Sequence, residues 1–447
     1  MKKSLYILCT ALFVISCKPE LDIPVPSQGN TNFTTYVAIG NSLTAGYSDN
    51  ALYYKGQMYS YPNMIAQQIK LAGGAQEFNI PFVSSISNGS GSDPVKGRLY
   101  LGQSYSCDSI LGLGPLAHPA DPSIFATNIY ASDGPFHNLG APGAKGVHIA
   151  YPRYGDPSNP LGYNPFYARF ASSATSSILQ DALSVNPTFF TLWVGGNDIL
   201  FYATSGGKAG DVPGTGQYNY TPTAMFEGSI KNITDSLAAI GAKGMIINIP
   251  DVTNVPFFTT VPIKGLPLSA EQADQLNFIY GASEMSFVEG NNYWVVEDST
   301  SPIGRRQIKE GEYLLLTVPQ NELKCEFMGS MGDPIPDQYV LDSTEAAIVK
   351  NQTLEYNNIL KKYADFHDFG YIDMNSYLST FKSGIVYDGV SLNASFVSGG
   401  GFSLDGVHPC AKGYALIANK IIMDINAKYG STLPPVQVND YPCIVFP

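Results

Sequence analysis

Pro187-Thr188-Phe189-Phe190-Thr191-Leu192-Trp193-Val194, followed at once by Gly195-Gly196-Asn197-Asp198, is the stretch that decides the fold. An apolar run that does not alternate with polar residues reads as a strand buried on both faces, as in a parallel sheet. Helical spacing brackets it. Ser173–Leu183 precedes it, and Thr223–Ile240, stopped by Gly241, follows it. Met245–Ile249 is a second buried-strand candidate. Further out, Thr35–Ile39 is a short β-prone run that ends at Gly40, and the segment Tyr61–Leu71 places Met64, Ile65, Ile69 and Leu71 near one helical face. Glu345–Phe366 predicts a long helix, Tyr371-Ile372 a short strand, and Lys412–Tyr429 a last helix carrying Leu416, Ile417, Ile421 and Ile422. Helix and strand alternate along the chain, which predicts an α/β layered fold. Two stretches, about 73–135 and 286–340, lack periodicity and predict large loop insertions.

Composition narrows the function classes. Of 447 residues, 44% are apolar, enough to bury a large core, so the chain is globular rather than disordered. The net charge is −12 with no basic cluster. That excludes the positive footprint that nucleic acid requires, and adsorption on anionic lipid through a basic surface. The aromatics, 29 Tyr and 23 Phe, suit a wet binding cleft or large ordered loops.

The first residues read as a targeting signal. Lys2 and Lys3 form a basic start, and Leu5–Ile15 is apolar but too short to span a bilayer. Val14-Ile15-Ser16-Cys17 resembles a bacterial lipobox, which makes 1–16 a lipoprotein signal peptide, Cys17 the lipidated residue and 17–33 a polar, proline-containing tether. The expected location is that of an exported bacterial lipoprotein, membrane-anchored on the periplasmic or cell-surface side. With Cys9 removed and Cys17 lipidated, Cys107, Cys325, Cys410 and Cys443 remain for an oxidising compartment. Four cysteines allow three pairings, and the sequence does not choose among them. The pairing favoured here is Cys410–Cys443, which would tie down the tail at 431–447. Zinc is disfavoured, because there is no CxxC pair and no histidine cluster.

Three short blocks carry the chemistry. Ile39-Gly40-Asn41-Ser42-Leu43-Thr44 places a serine beyond a buried strand, where ligands bind in open α/β sheets. Gly195-Gly196-Asn197-Asp198 supplies an amide donor after another strand, with glycines that let a ligand approach the backbone. Asp405-Gly406-Val407-His408-Pro409 offers a base, with an acid three residues before it to hold its Nδ1–H. Singly, each also reads as an ordinary turn or helix cap. Together, and in this order, they resemble the SGNH (GDSL-type) hydrolases over about residues 35–428. Asn138-Leu139-Gly140-Ala141-Pro142-Gly143 is similar to that family's second block, and Ile249-Pro250-Asp251 through Pro256 to the segment after its fourth strand.

The resemblance implies a three-layer α/β/α domain over 34–430, with a flavodoxin-like parallel sheet of about five strands. It implies Ser42 as nucleophile, His408 as base and Asp405 as the residue that orients it. The oxyanion hole would comprise the N–H groups of Ser42 and Gly140 and the Asn197 side chain. No metal or organic cofactor is needed. The implied reaction is carboxylic ester hydrolysis, on short acyl esters of glycans or small lipids. Alternatives are a lipase or phospholipase on long-chain esters and a non-catalytic glycan-binding lipoprotein. Two departures stand out. Asn41 replaces the family's usual Asp, and the span from Ser42 to Gly140 is long for the family. His118, His137, His148 and His367 fall outside the blocks and read as structural, with His137 a candidate to border the cleft. Tyr53, Tyr54, Tyr59 and Tyr61 read either as a sugar or acyl platform or as aromatics that pack a loop onto the core.

Overall fold

A computed structural model describes residues 25–91, 93–159, 162–208, 216–281 and 283–447. The expected signal segment and Cys17 lie outside these residues. Five strands form one parallel sheet: β1 (Tyr36–Gly40), β2 (Asn138–Gly140), β3 (Phe189–Trp193), β4 (Lys243–Ile247) and β5 (Gly370–Ile372). Their order is β2-β1-β3-β4-β5, the flavodoxin-like order. The register aligns Gly40 with Gly140 on one side and with Trp193 on the other. The segments that follow β1, β2 and β3 therefore leave from one edge.

Alternate residues along each strand feed two cores. Val37, Ile39, Phe190, Leu192 and Ile246 face α3 (Ile178–Ser184), α4 (Gly196–Thr204), α5 (Thr223–Ala239) and α6 (Ser343–Phe366), taking α1 (Ser42–Ala45) and α2 (Tyr61–Leu71) as the first two helices. Tyr36, Ala38, Phe189, Trp193, Met245 and Ile247 face α2 and α7 (Ala411–Tyr429). Both faces are thus covered, which gives three layers. Burying each large apolar side chain contributes about 1.5–3 kcal/mol, so a strand apolar on both faces is stable only between two helical layers.

Helix boundaries follow from capping. The Asp342 carboxylate accepts from Glu345 N–H while Glu345 accepts from Asp342 N–H, so α6 starts at Ser343 rather than at Glu345. The helix expected from Ser173 begins only at Ile178, because Ser177 caps it. Upstream, Ser172 and Ser176 direct their hydroxyls to Asp181 instead of continuing the helix. Gly430, in the left-handed region, ends α7.

Among the described residues, both stretches without periodicity carry regular structure. Lys96–Tyr105 and Leu111–Pro119 form a long antiparallel ribbon. Between Val261 and Val340 lies a separate apolar core containing Leu276, Trp294, Val295, Val296 and Ile335. Disulfides join Cys107 to Cys325 and Cys410 to Cys443, the second as expected. The first ties the ribbon tip to the second insertion, beside an Asp108–Lys324 ion pair of 2.7 Å. At the other end of the sheet, the first described residues pack on the end of α7. Asn30 N–H donates to Tyr429 O, and Thr432 N–H to Ser27 O.

Candidate active site

The three blocks converge at the carboxyl edge of the sheet. Ser42 opens α1 directly after β1. Asn41 caps that helix, its Oδ1 accepting from Leu43 N–H at 3.1 Å. Asn and Asp are about equally good caps, so Asn41 keeps the capping acceptor that the family's usual Asp would offer while removing a charge beside Ser42. Gly140 ends β2 where a Cβ would lie 2.3 Å from Ala45 N, so only glycine lets α1 seat against the sheet. Beyond β3, Gly195 (φ +98) turns the chain into α4 and places Asn197 and Asp198 in its first turn.

Ser42 Oγ lies 2.9 Å from His408 Nε2, and His408 Nδ1 lies 3.0 Å from Asp405 Oδ2. An ionised carboxylate only accepts, so Nδ1 carries the proton and Nε2 is left as acceptor for the Ser42 hydroxyl. Burial alone would raise the Asp405 carboxyl. The adjacent His408 ring and the N–H groups of His408 and Asn50 outweigh it and hold the carboxyl below its ordinary range. Asp405 Oδ1 also accepts from Val407 and His408 N–H, both at 2.8 Å, which fixes the loop in register. Tyr47, which the sequence reading did not single out, packs its ring 4.8 Å from that of His408.

The Gly195–Asp198 block meets the loop that follows β2. Asn197 Nδ2 donates to Ala144 O at 3.0 Å, and buried Asp198 accepts from Gly146 N–H at 2.6 Å. They hold the loop after β2 against α4. The Gly140 N–H, however, donates to Asn138 Oδ1 at 3.0 Å. In this arrangement the Gly140 N–H thus already has a partner, on the side chain two residues before it. Three positions on, Gly143 (φ +82) sits in the loop itself, and no bond from its N–H is among those described.

The remaining candidates are structural. Tyr61 is buried and bonds Thr44. Tyr54 packs on Phe82 and Tyr59 on Tyr441, while the Tyr53 hydroxyl meets Ser48 and Asp49. These rings seat the loop on the core. His137 accepts Asn79 N–H at the start of β2 and packs near Phe78, and burial lowers its pKa. Burial and Lys145 push His148 down to about 4, and its ring stacks on Tyr154. His118 packs on Tyr100, and His367 pairs with Asp235.

The family model for GDSL-like lipase/acylhydrolase matches residues 36–421, nearly all of the described chain. The chain belongs to the GDSL-like lipase/acylhydrolase family. As a member of that family it is a carboxylic ester hydrolase. No curated protein matches the sequence. Among solved structures, a catalytic mutant of the acetylxylan esterase Axe2 from Geobacillus stearothermophilus is similar at 8% identity and TM-score 0.35, over 88% of this chain and 95% of that one. A putative acylhydrolase from Bacteroides fragilis NCTC 9343 shares 12% identity at TM-score 0.33, over 91% and 92%. An extracellular lipase from Streptomyces rimosus shares 12% at TM-score 0.32, over 89% and 99%. At such low scores these likenesses say nothing about substrate. For this acylhydrolase the local chemistry must speak instead.

Proposed function

We propose that this hydrolase cleaves esters by a serine mechanism in which Ser42 is the nucleophile, His408 the base and Asp405 the residue that orients it. The observation that carries this reading is the unbroken Ser42–His408–Asp405 chain at 2.9 and 3.0 Å. His408 accepts the Ser42 proton as Oγ bonds to the ester carbonyl carbon. The C–O bond to the alcohol breaks, and His408 returns the proton to the leaving alkoxide. Water, deprotonated by the same imidazole, then releases the acid. The oxyanion is met by Ser42 N–H, the Asn197 amide and a glycine N–H from the loop after β2. Gly143 takes that role in place of Gly140, whose N–H is engaged.

The substrate class proposed is short acyl esters, on glycans or small lipids. A panel of p-nitrophenyl esters from acetate to palmitate, run beside acetylated glycans, tests it. Turnover should peak at two to four acyl carbons, roughly, since an ester pocket gains or loses about 1–3 kcal/mol per methylene. A peak at palmitate overturns the class in favour of a lipase. No turnover of any ester, with acetylated glycan still bound, leaves a glycan-binding protein.

We also propose that the protein is exported and lipid-anchored at Cys17. The sequence at Val14–Cys17 supports this, as do two disulfides, which belong to oxidising compartments. Among the described residues no helix is long and apolar enough to cross a membrane. Metabolic labelling with a fatty-acid analogue should mark the wild type and not Cys17→Ser. Unlabelled wild type rejects the anchor.

A further inference from the structure

Behind the Ser42–His408–Asp405 chain sits a second carboxylate, on the loop that leaves α1. Asp49 and Asn50 are consecutive non-glycine residues in the left-handed region, with φ of 51° and 60°. Asn and Asp tolerate that region best, yet such residues still cost about 1–3 kcal/mol each unless their surroundings hold them. What holds them is the loop that carries the base. Asp49 N–H donates to Ser403 Oγ at 3.0 Å, Asn50 N–H to Asp405 Oδ2 at 2.9 Å, and Leu404 N–H to Asp49 Oδ1 at 3.0 Å. On its far side Asp49 Oδ2 accepts from the Tyr53 hydroxyl at 3.1 Å. The Arg98 guanidinium lies 4.8 Å from the centre of the Tyr53 ring. Leu99 N–H donates to Asp49 O, so the base of the ribbon ends on the same residue. Apart from Asp405, none of these residues lies in the blocks that carry the family resemblance.

We propose that Asp49 is a positioning residue: it clamps the loop bearing Asp405 and His408 onto the loop that leaves Ser42, and its negative charge, added behind Asp405, favours the imidazolium formed when His408 takes the Ser42 proton. This rests on the roles given to Ser42, His408 and Asp405 under the proposed function. The charged and titratable groups facing Asp49 are Tyr53 on its own loop, Arg98 on the ribbon, Asp405 with His408 beyond it, and Tyr414 on α7. Burial first, then Asp405, raise the Asp49 carboxyl to about 6 against the opposing Leu404 N–H. Its charge is therefore present above that pH and lost as pH falls through it.

The clamp and the charge separate by mutation. Asp49→Asn keeps an oxygen for Leu404 N–H, and its amide can donate to the Tyr53 hydroxyl, so the clamp survives and the charge goes. Asp49→Ala removes both. The experiment is the pH dependence of kcat and kcat/KM for p-nitrophenyl acetate, on the full-length protein, with Ser42→Ala alongside. For Asp49→Asn the acid limb of kcat/KM should move down by about 0.5–1 pH unit, since an anion that favours imidazolium has been removed. Its plateau kcat should fall about 3–10-fold. Asp49→Ala should show the same displacement with a larger loss of kcat. An unmoved acid limb in Asp49→Asn, whether or not the plateau falls, overturns the proposal, because a merely structural role lowers activity without moving the limb. Should Asp49→Asn not fold, Tyr53→Phe carries the test. Without the O–H bond, Asp49 takes its proton at higher pH and the limb moves the same way by less; an unmoved limb again overturns it. Full activity in Ser42→Ala would instead defeat the underlying site assignment, a result read separately.

Discussion

Ser42→Ala is expected to lower kcat by about 10⁴–10⁶ while leaving thermal stability near wild type. The loss follows from removing the atom that bonds to the acyl carbon. Stability should hold because, among the described bonds, the Ser42 hydroxyl meets His408 alone, and the cap of α1 comes from Asn41 rather than from Ser42. His408→Ala should cost about as much, and the double variant little more, since nucleophile and base act as one unit. Asp405→Asn should leave more activity than His408→Ala, with a loss of about 10⁴ in kcat. With one oxygen retained for Val407 and His408 N–H, the new amide nitrogen faces His408 Nδ1 and Asn50 N–H as a donor opposite donors. The ring then turns to the tautomer that carries its proton on Nε2 and can no longer accept from Ser42. For wild type, kcat/KM should fall on the acid side, where imidazolium accepts no proton. Steady-state kinetics and a fluorophosphonate label check the set. Full activity in Ser42→Ala, or label on another residue, rejects the nucleophile. A silent Asp405→Asn reduces the machinery to a Ser–His pair.

Asn197→Ala is the second large effect. Removing one preorganised oxyanion donor should cost about 2.7–4 kcal/mol, or 10²–10³ in kcat, with KM little changed. The side chain also bonds Ala144 O, so the same substitution loosens the loop after β2. The two consequences divide by parameter. Loss of transition-state stabilisation appears in kcat, whereas a displaced loop disturbs substrate binding and appears in KM. If KM rises with kcat unchanged, Asn197 serves the ground state and the oxyanion hole must be built elsewhere.

Local pattern revealed the sheet where strands were long enough to carry it. Phe189–Trp193 is buried throughout, and its uninterrupted apolar run announced that. Asn138–Gly140 spans three residues, too few for any periodicity, so the sequence offers only the glycine and asparagine block there and no strand. The ribbon of 96–119 escaped notice because Gly102, Gly112, Gly114 and Pro115 interrupt the alternation that marks a half-buried strand. The core around Trp294 and Val295 escaped because its strands are two or three residues long and gain their partners only in three dimensions. At the site, Ser42, His408 and Asp405 were legible from residue type and order. Their supports were not. Asn50 meets Asp405 across 355 positions of sequence, and no local pattern encodes such a contact. Nor does the sequence show that the Gly140 N–H meets the Asn138 side chain two residues before it.

The chain enters the domain at one pole, and Ser42 sits at the other. Val25 and Ser27 pack beside Thr432, before β1 begins, whereas Ser42 follows its end. If Cys17 carries lipid, the segment from Cys17 to Val25 reaches at most about 28 Å even when fully extended. A domain of this size is on the order of 55 Å across. So short a leash cannot be led round the domain to bring the catalytic pole down to the bilayer that holds it. An enzyme moored this way would work outward, on esters that arrive from the side away from its own membrane, and would leave the lipids under it untouched.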